Sequence, residues 1–336
     1  MNQAVGRQPT INGSPYEICL VSREEIVLAA NAGELASELS EPVGYVLATT
    51  GKRLRSAIVL SSAHAGPDPH HQDVRTGAIA IELGHLATLA HDDILDDGTV
   101  RRGTDTVGVA YGSLASGYVG GALVVRASEL MATFGEEPMR VFARTAAEMC
   151  SGQMAEFEDS FDTTRSVERY YLAIAGKTAS LFEVAAWLGG WLAGAPTATV
   201  NSLARFGREF GMAFQIADDI LDVLAPISET GKLQAKDLLQ GVYSLPVIYA
   251  LQTDRELGAA LEQPLTQADL PKLVARIRAS GGVVLASHEC FRRARRAQSI
   301  VHEELEPAVA TSLAALVEQS IAPITRRMKP KHADAA

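Results

Sequence analysis

Two acidic pentapeptides of identical sequence, Asp92-Asp93-Ile94-Leu95-Asp96 and Asp218-Asp219-Ile220-Leu221-Asp222, are the residues of this chain best suited to chemistry. Each follows an apolar stretch of helical periodicity. On a helix, residues one and four apart lie about 100° and 40° from each other, so the aspartates of each copy crowd onto one side. Carboxylates gathered this way repel one another and cannot be buried unpaired without a large desolvation cost. A hard divalent cation relieves both problems, and Mg²⁺ takes one or two carboxylates while completing its shell with water and phosphate oxygens. One such motif reads equally well as a solvated acidic turn; two identical copies, each preceded by residues of buried character, favour metal binding. Asp97 falls outside the repeat and is the least suited ligand.

Cations accompany both clusters. Thr50-Gly51-Lys52-Arg53-Leu54-Arg55 leads into an apolar helix on which Lys52 and Arg55 share a face, beside the partial positive charge of the helix start. Such a group can hold a diphosphate, although a solvated basic helix start has the same composition. The tight loop Gly98–Gly103 brings Arg101 and Arg102 back toward the first cluster, and arginine suits bidentate phosphate contacts. Lys177-Thr178 and Phe214-Gln215 precede the second cluster, and Lys232 follows it in a polar loop. Glu82 and His85 form a Glu-x-x-His pair of the kind used by carboxylate-bridged metal bundles, but no second pair exists, and His85 reads first as a core histidine.

The elements that must position these groups are helical. Of 336 residues 47% are hydrophobic and only 6% aromatic, with abundant Ala and Leu, so the fold class is read as all-α. The sequence predicts a flexible arm over residues 1–15, a disordered tail over 326–336, and a catalytic domain over 16–325 with no internal shift of composition. A single large helical bundle around a deep central cavity would let the two acidic helix ends face each other. Two helices are expected between Arg23 and Leu47, divided near Pro42. One helix runs from about Arg75 into the first cluster; another runs from Asn201 to Leu224 through the second, after a turn at Pro196–Thr199.

Composition also excludes classes. The net charge of −10 argues against nucleic-acid binding, although seven of the forty acidic residues sit in the two clusters. Cys19, Cys150 and Cys290 have no close spacing, which suits a reducing cytoplasm rather than a disulfide framework or a zinc site. No basic-then-apolar signal pattern opens the chain, and the uncharged runs Val107–Val125 and Val184–Ala204 carry too much Gly, Pro and Thr for a transmembrane segment. The basic run Arg292–Arg296 reads as a solvated face and is the candidate for peripheral membrane contact during product release.

Two metal-binding carboxylate faces, phosphate-seeking cations and a long apolar wall fit a substrate with a diphosphate head and a hydrocarbon tail. With Gly-Lys-Arg-Leu-Arg before, Arg-Arg after the first cluster, Lys-Thr between and Phe-Gln ahead of the second, the chain resembles the trans-isoprenyl diphosphate synthases, the polyprenyl synthetase family, over about residues 20–325. The resemblance implies an all-α bundle with a deep central cavity, the isoprenoid synthase fold, and a homodimer. It also implies Mg²⁺, three ions with substrate bound, held by Asp92, Asp93, Asp96, Asp218, Asp219 and Asp222. Arg101, Lys177 and Lys232 would contact the allylic diphosphate, with Thr178 and Gln215 near the reacting carbon; Lys52, Arg55, His85 and Arg102 would bind isopentenyl diphosphate. His85 thereby becomes a ligand.

Four positions depart from the family pattern. Thr50 and Ser56 replace a Gly and a Pro, Gly121 replaces an acid, and Val242 replaces a cation; none removes a metal ligand. Product length is expected to depend on the helix before Asp92, where Ala87, Gly84 and Ala80 lie progressively deeper at about 5.4 Å per turn and no aromatic blocks that face. The expectation is a product of C25 or longer. The alternatives are a short-chain C15 or C20 synthase, a class I terpene cyclase, which needs no site for a second diphosphate, and a regulatory subunit of a heteromeric synthase.

Overall fold

Apolar residues at three- and four-residue spacing let each segment bury one helical face. The computed structural model describes residues 14, 20–31, 37–48, 51–95, 98–101, 103–226 and 233–328, and 78% of these described residues are helical. The helices are α1 Arg23–Asn31, α2 Ser37–Ala48, α3 Leu54–Ala63, α4 Gln72–Leu95, α5 Val107–Tyr111, α6 Ser113–Ala132, α7 Glu136–Glu158 and α8 Val167–Ile174. They continue with α9 Ser180–Leu192, α10 Thr197–Leu224, α11 Lys236–Leu239, α12 Leu245–Leu251, α13 Arg255–Leu261, α14 Leu270–Ala279, α15 Gly282–Glu304 and α16 Pro307–Met328. Between α8 and α9, Ala175–Ala179 forms one turn of π-helix. The described strands are a two-residue antiparallel pair, β1 Val100–Arg101 and β2 Thr104–Asp105.

Two helix boundaries differ from the sequence expectation. Pro42 lies buried inside α2 as its sixth residue, where the helix continues through it without the bond its amide would have made to the Glu38 carbonyl, so it does not divide two helices. The second acidic helix begins at Thr197, because Pro196 supplies the first carbonyl, accepting from the Val200 amide at 3.0 Å.

The chain divides into two compact units. The first comprises Met1–Ala146, Leu181–Gly207 and Ile300–Leu316. Its centre is α4, which packs along α6 and α3. The Ser116 hydroxyl donates to the Ala90 carbonyl at 2.8 Å, and Gly120 has no Cβ because the His91 ring fills that space. The second unit comprises Ala147–Ser180, Arg208–Ser299 and Val317–Ala336, around a core that includes Tyr170, Ile216, Ile220, Tyr243 and Cys290.

Among the described residues one helix, α16, is long and apolar enough to cross a membrane; Val309, Leu313, Val317 and Ile324 on it are buried within the protein.

Cys150 and Cys290 are free, the first exposed and the second buried. Burial, and then the neighbouring Glu289 charge, push the Cys290 thiol up to about 12. Only thiolate reacts, so a maleimide at neutral pH should modify Cys150 in the native protein and reach Cys290 only after unfolding. Peptide mapping after labelling checks this; equal modification of both under native conditions would contradict the buried placement.

Candidate active site

In the first unit the basic motif opens α3. Arg53 adopts a left-handed conformation (φ 50°) at the N-cap, and its guanidinium donates to the Val21 carbonyl at 2.7 Å. Lys52 is exposed. Arg55 turns the other way, 3.2 Å from His85 Nε2 and stacked 4.7 Å above the Phe182 ring. A planar guanidinium held on an aromatic face is fixed in direction, as recognition of a diphosphate requires. The structure therefore brings Arg55 and His85 together. Glu82, almost fully buried, accepts from the Ser56 amide at 2.9 Å and anchors the start of α3, which accounts for its Glu-x-x-His spacing without a metal. A proline at 56 could not donate that bond.

Asp92 and Asp93 occupy the last turn of α4, where the helix end adds partial negative charge of its own. Asp93 Oδ1 accepts from Arg101 Nε at 2.6 Å. The hairpin that returns Arg101 is held by the Gly98 amide on the Asp93 carbonyl (3.0 Å) and the Thr106 hydroxyl on the Gly98 carbonyl (2.6 Å), and it turns at Gly103 with φ +81°. Asp96 and Arg102 lie outside the described residues. Behind the cluster, Ala80, Gly84 and Ala87 are all buried. A Cβ on Gly84 would come 3.3 Å from the ring of Phe142 on α7, so an aromatic from a neighbouring helix lies against this wall. On the adjacent helix, a side chain at Gly121 would meet nothing within 4 Å.

In the second unit Lys177 and Thr178 sit on the π-helical turn, a distortion that inserts one residue per turn and recurs at functional sites. Gly152 of α7 lies against this turn; a Cβ there would stand 2.6 Å from the Ala173 carbonyl oxygen and 2.8 Å from the Gly176 carbonyl carbon. Lys177 pairs with Glu156, also on α7. The Thr178 hydroxyl donates to Gln215 Oε1 at 2.7 Å, Gln215 Nε2 donates to Asp219 Oδ1 at 2.8 Å, and the Tyr170 hydroxyl donates to Asp219 Oδ2 at 2.5 Å. Burial pushes the Asp219 carboxyl up to about 7, although the bonds from Tyr170 and Gln215 pull it down. Burial, then the Asp219 charge, raises Tyr170 well above its ordinary range, so it stays a donor.

Asp218 is exposed and Asp222 half-buried near the end of α10, and the Asp222 carbonyl accepts from the Ala235 amide at 2.9 Å. Lys232 lies outside the described residues. Beneath Tyr170, the buried Arg165 sits 5.6 Å from the ring centre, donates to Asp159 at 3.1 Å and reaches the Tyr243 carbonyl at 3.0 Å. The basic run on α15 is partly neutralised, with Arg292, Arg293 and Arg296 paired to Glu289 and Glu209.

Sequence reasoning missed Tyr170, Glu156, Arg165 and Phe142. Tyr170 precedes Lys177 by seven residues, two helical turns, which was the one signal that it could share a face with the site.

Among the described residues no three His, Cys, Asp or Glu side chains form a ready metal cage. Carboxylates at helix ends, with shell positions left for phosphate oxygens and water, are the donor set that fits Mg²⁺ arriving with a diphosphate.

A family model described as Polyprenyl synthetase matches residues 36–277. Nonaprenyl diphosphate synthase from Mycobacterium tuberculosis is 35% identical over 309 residues, 90% of this chain and 91% of its own. Heptaprenyl diphosphate synthase component 2 from Geobacillus stearothermophilus is 36% identical over 242 residues, 72% of this chain and 75% of its own. The crystal structure of a polyprenyl synthase from Caulobacter crescentus CB15, complexed with calcium and isoprenyl diphosphate, is 26% identical, with a TM-score of 0.82 over 89% of this chain and 93% of that one.

Proposed function

The chain belongs to the polyprenyl synthetase family and is a prenyltransferase, and we propose that it condenses an allylic diphosphate with isopentenyl diphosphate to give a polyprenyl diphosphate of C25 or longer. The observation that carries this reading is that both Asp-Asp-Ile-Leu-Asp clusters are intact near the ends of α4 and α10, in a chain alike over nine tenths of its length to a nonaprenyl diphosphate synthase.

In this reading Asp92, Asp93, Asp96, Asp218 and Asp222 hold the metal, with Asp219 behind them, and the catalytic domain is residues 16–325. Mg²⁺, three ions with substrate bound, supplies positive charge that offsets the charge developing on the departing diphosphate. Arg101, Lys177 and Lys232 add fixed positive charge to that same group, which is differential binding of the transition state. Glu156 keeps Lys177 oriented until a diphosphate competes for it. Lys52, Arg55, His85 and Arg102 hold isopentenyl diphosphate. As the allylic C–O bond breaks, Thr178 and Gln215 present oxygens to the electron-poor carbon; the isopentenyl double bond attacks it, and a proton leaves to the released diphosphate. Apolar walls keep water from the cation.

The subunit pairs with a second copy in this reading. Leu114, Tyr118 and Val125 are exposed on α6 at steps of four and seven, a single apolar stripe that the described residues leave uncovered. A reducing cytoplasm suits the free Cys150 and Cys290.

The test is product analysis by mass spectrometry after incubation with farnesyl diphosphate and Mg²⁺, with and without isopentenyl diphosphate. Polyprenyl diphosphates of C25 or longer should form only when isopentenyl diphosphate is present. A hydrocarbon or alcohol formed without it would replace the reading with a cyclase. In the same assay Ala87→Phe, which places a ring on the α4 wall one turn nearer the cluster than Gly84, should move the products to shorter lengths. An unchanged distribution would remove α4 as the measuring wall.

A further inference from the structure

Gln215 Nε2 donates to Asp219 Oδ1, and this orientation turns the Gln215 carbonyl oxygen to the Thr178 hydroxyl, from which it accepts. The Thr178 proton is thereby committed to Gln215, and the remaining lone pairs of both oxygens are free to meet an electron-poor carbon. This order of donors and acceptors begins at Tyr170. Its hydroxyl, 2.5 Å from Asp219 Oδ2, occupies the oxygen that Gln215 does not use. Tyr170 is itself 2% exposed, with its ring against Arg165, whose bonds to Asp159 and the Tyr243 carbonyl fix it in turn. Asp219 is 7% exposed, whereas its neighbour Asp218 is exposed.

We infer that Tyr170 is a positioning residue for prenyl transfer: by clamping Asp219 it makes that aspartate a strut for Gln215 and Thr178 rather than a metal ligand. The inference rests on the prenyltransferase reading above. It divides the second cluster by role, with Asp218 and Asp222 turned to the metal and Asp219 turned to the protein. Charge-assisted bonds to a buried carboxylate are strong and directional, and a chain of them fixes the orientation of its last member.

Tyr170→Phe keeps the ring, its packing and its contact with Arg165, and removes only the clamp. The expected result is a fall of about tenfold to thirtyfold in kcat with KM for both diphosphates within about twofold, together with a lower melting temperature because the buried Asp219 Oδ2 loses its donor. In a Thr178→Ala background the same change should cost less than about threefold, because the relay no longer has an end to orient. A merely structural tyrosine would lower stability alike but cost the same in kcat in both backgrounds.

The metal assignment has its own readout. Mn²⁺ binding in the presence of inorganic pyrophosphate, followed by electron paramagnetic resonance, should be unchanged within about twofold in Tyr170→Phe and Asp219→Asn, and weakened by about tenfold or more in Asp218→Asn. Full kcat in Tyr170→Phe, additive losses with Thr178→Ala, or Mn²⁺ affinity lost in Asp219→Asn would each overturn the inference. If the parent protein gave no prenyl transfer at all, the functional reading would fail instead, and the Mn²⁺ comparison would still decide the role of Asp219.

Discussion

Asp218→Asn is expected to reduce prenyl transfer by about 10³-fold while leaving the fold intact. The side chain is exposed, near the C-terminal end of α10, where the helix contributes partial negative charge and Asp222 a further carboxylate. Its negative charge is an electrostatic burden on the free protein and an asset only when a cation binds. Neutralising it therefore should hold or raise the melting temperature while metal affinity falls. Steady-state kinetics at saturating substrate, thermal unfolding and Mn²⁺ binding on one preparation measure all three. A drop in stability that accompanies the loss of activity would mean that Asp218 has a structural partner, and the assignment to metal would fall. Raising Mg²⁺ should recover part of the lost rate, since the defect lies in occupancy as well as in charge compensation.

What could be read from the residues alone divides by physical cause. The helices α4 and α10 were legible because a long apolar period that ends in clustered carboxylates fits little besides a buried helix emerging at a charged site. Arg55 and His85 could be named, but their 3.2 Å approach could not, since it depends on how α3 crosses α4. Tyr170 stayed hidden because a tyrosine on an amphipathic helix has the pattern of core, and its partner Asp219 is 49 residues away. The π turn at Ala175–Ala179 was invisible for a related reason: one extra residue slips the apolar phase by a fraction of a turn, which a window of mixed Ala and Ile does not register. Phe142 illustrates the limit for product length, because a wall free of aromatics in its own sequence meets an aromatic from α7.

These cases share a direction. Charge was legible and distance was not. The groups that bear the chemistry are polar residues in apolar surroundings, and they stand out. The groups that aim them are ordinary core residues whose importance comes from close approach, and glycine is the extreme example because it contributes only the absence of a side chain.

Gly152→Ala turns that absence into the second large expected effect. The added methyl would overlap the Lys177 backbone nitrogen and lie 2.6 Å from the Ala173 carbonyl oxygen, so either α7 or the π turn must move. Gly176 meets α7 from the other side, where a Cβ would stand 3.0 Å from the Gly152 Cα, and the two glycines together permit the contact. Displacing the turn by a fraction of an ångström shifts Lys177 and Thr178 together. Misplacement of that size around a reacting carbon costs about 10²-fold in rate, and overpacking of this kind costs about 1–3 kcal/mol of stability. Gly44→Ala supplies the opposite case on α2: its Cβ would meet nothing within 4 Å, and replacing a helical glycine by alanine in open space stabilises by about 0.5–1 kcal/mol. Thermal unfolding and kcat on both variants test the argument by sign. Gly152→Ala should lower both quantities and Gly44→Ala should raise the first and spare the second. Full activity in Gly152→Ala would show that the close approach of α7 does not set the position of Lys177.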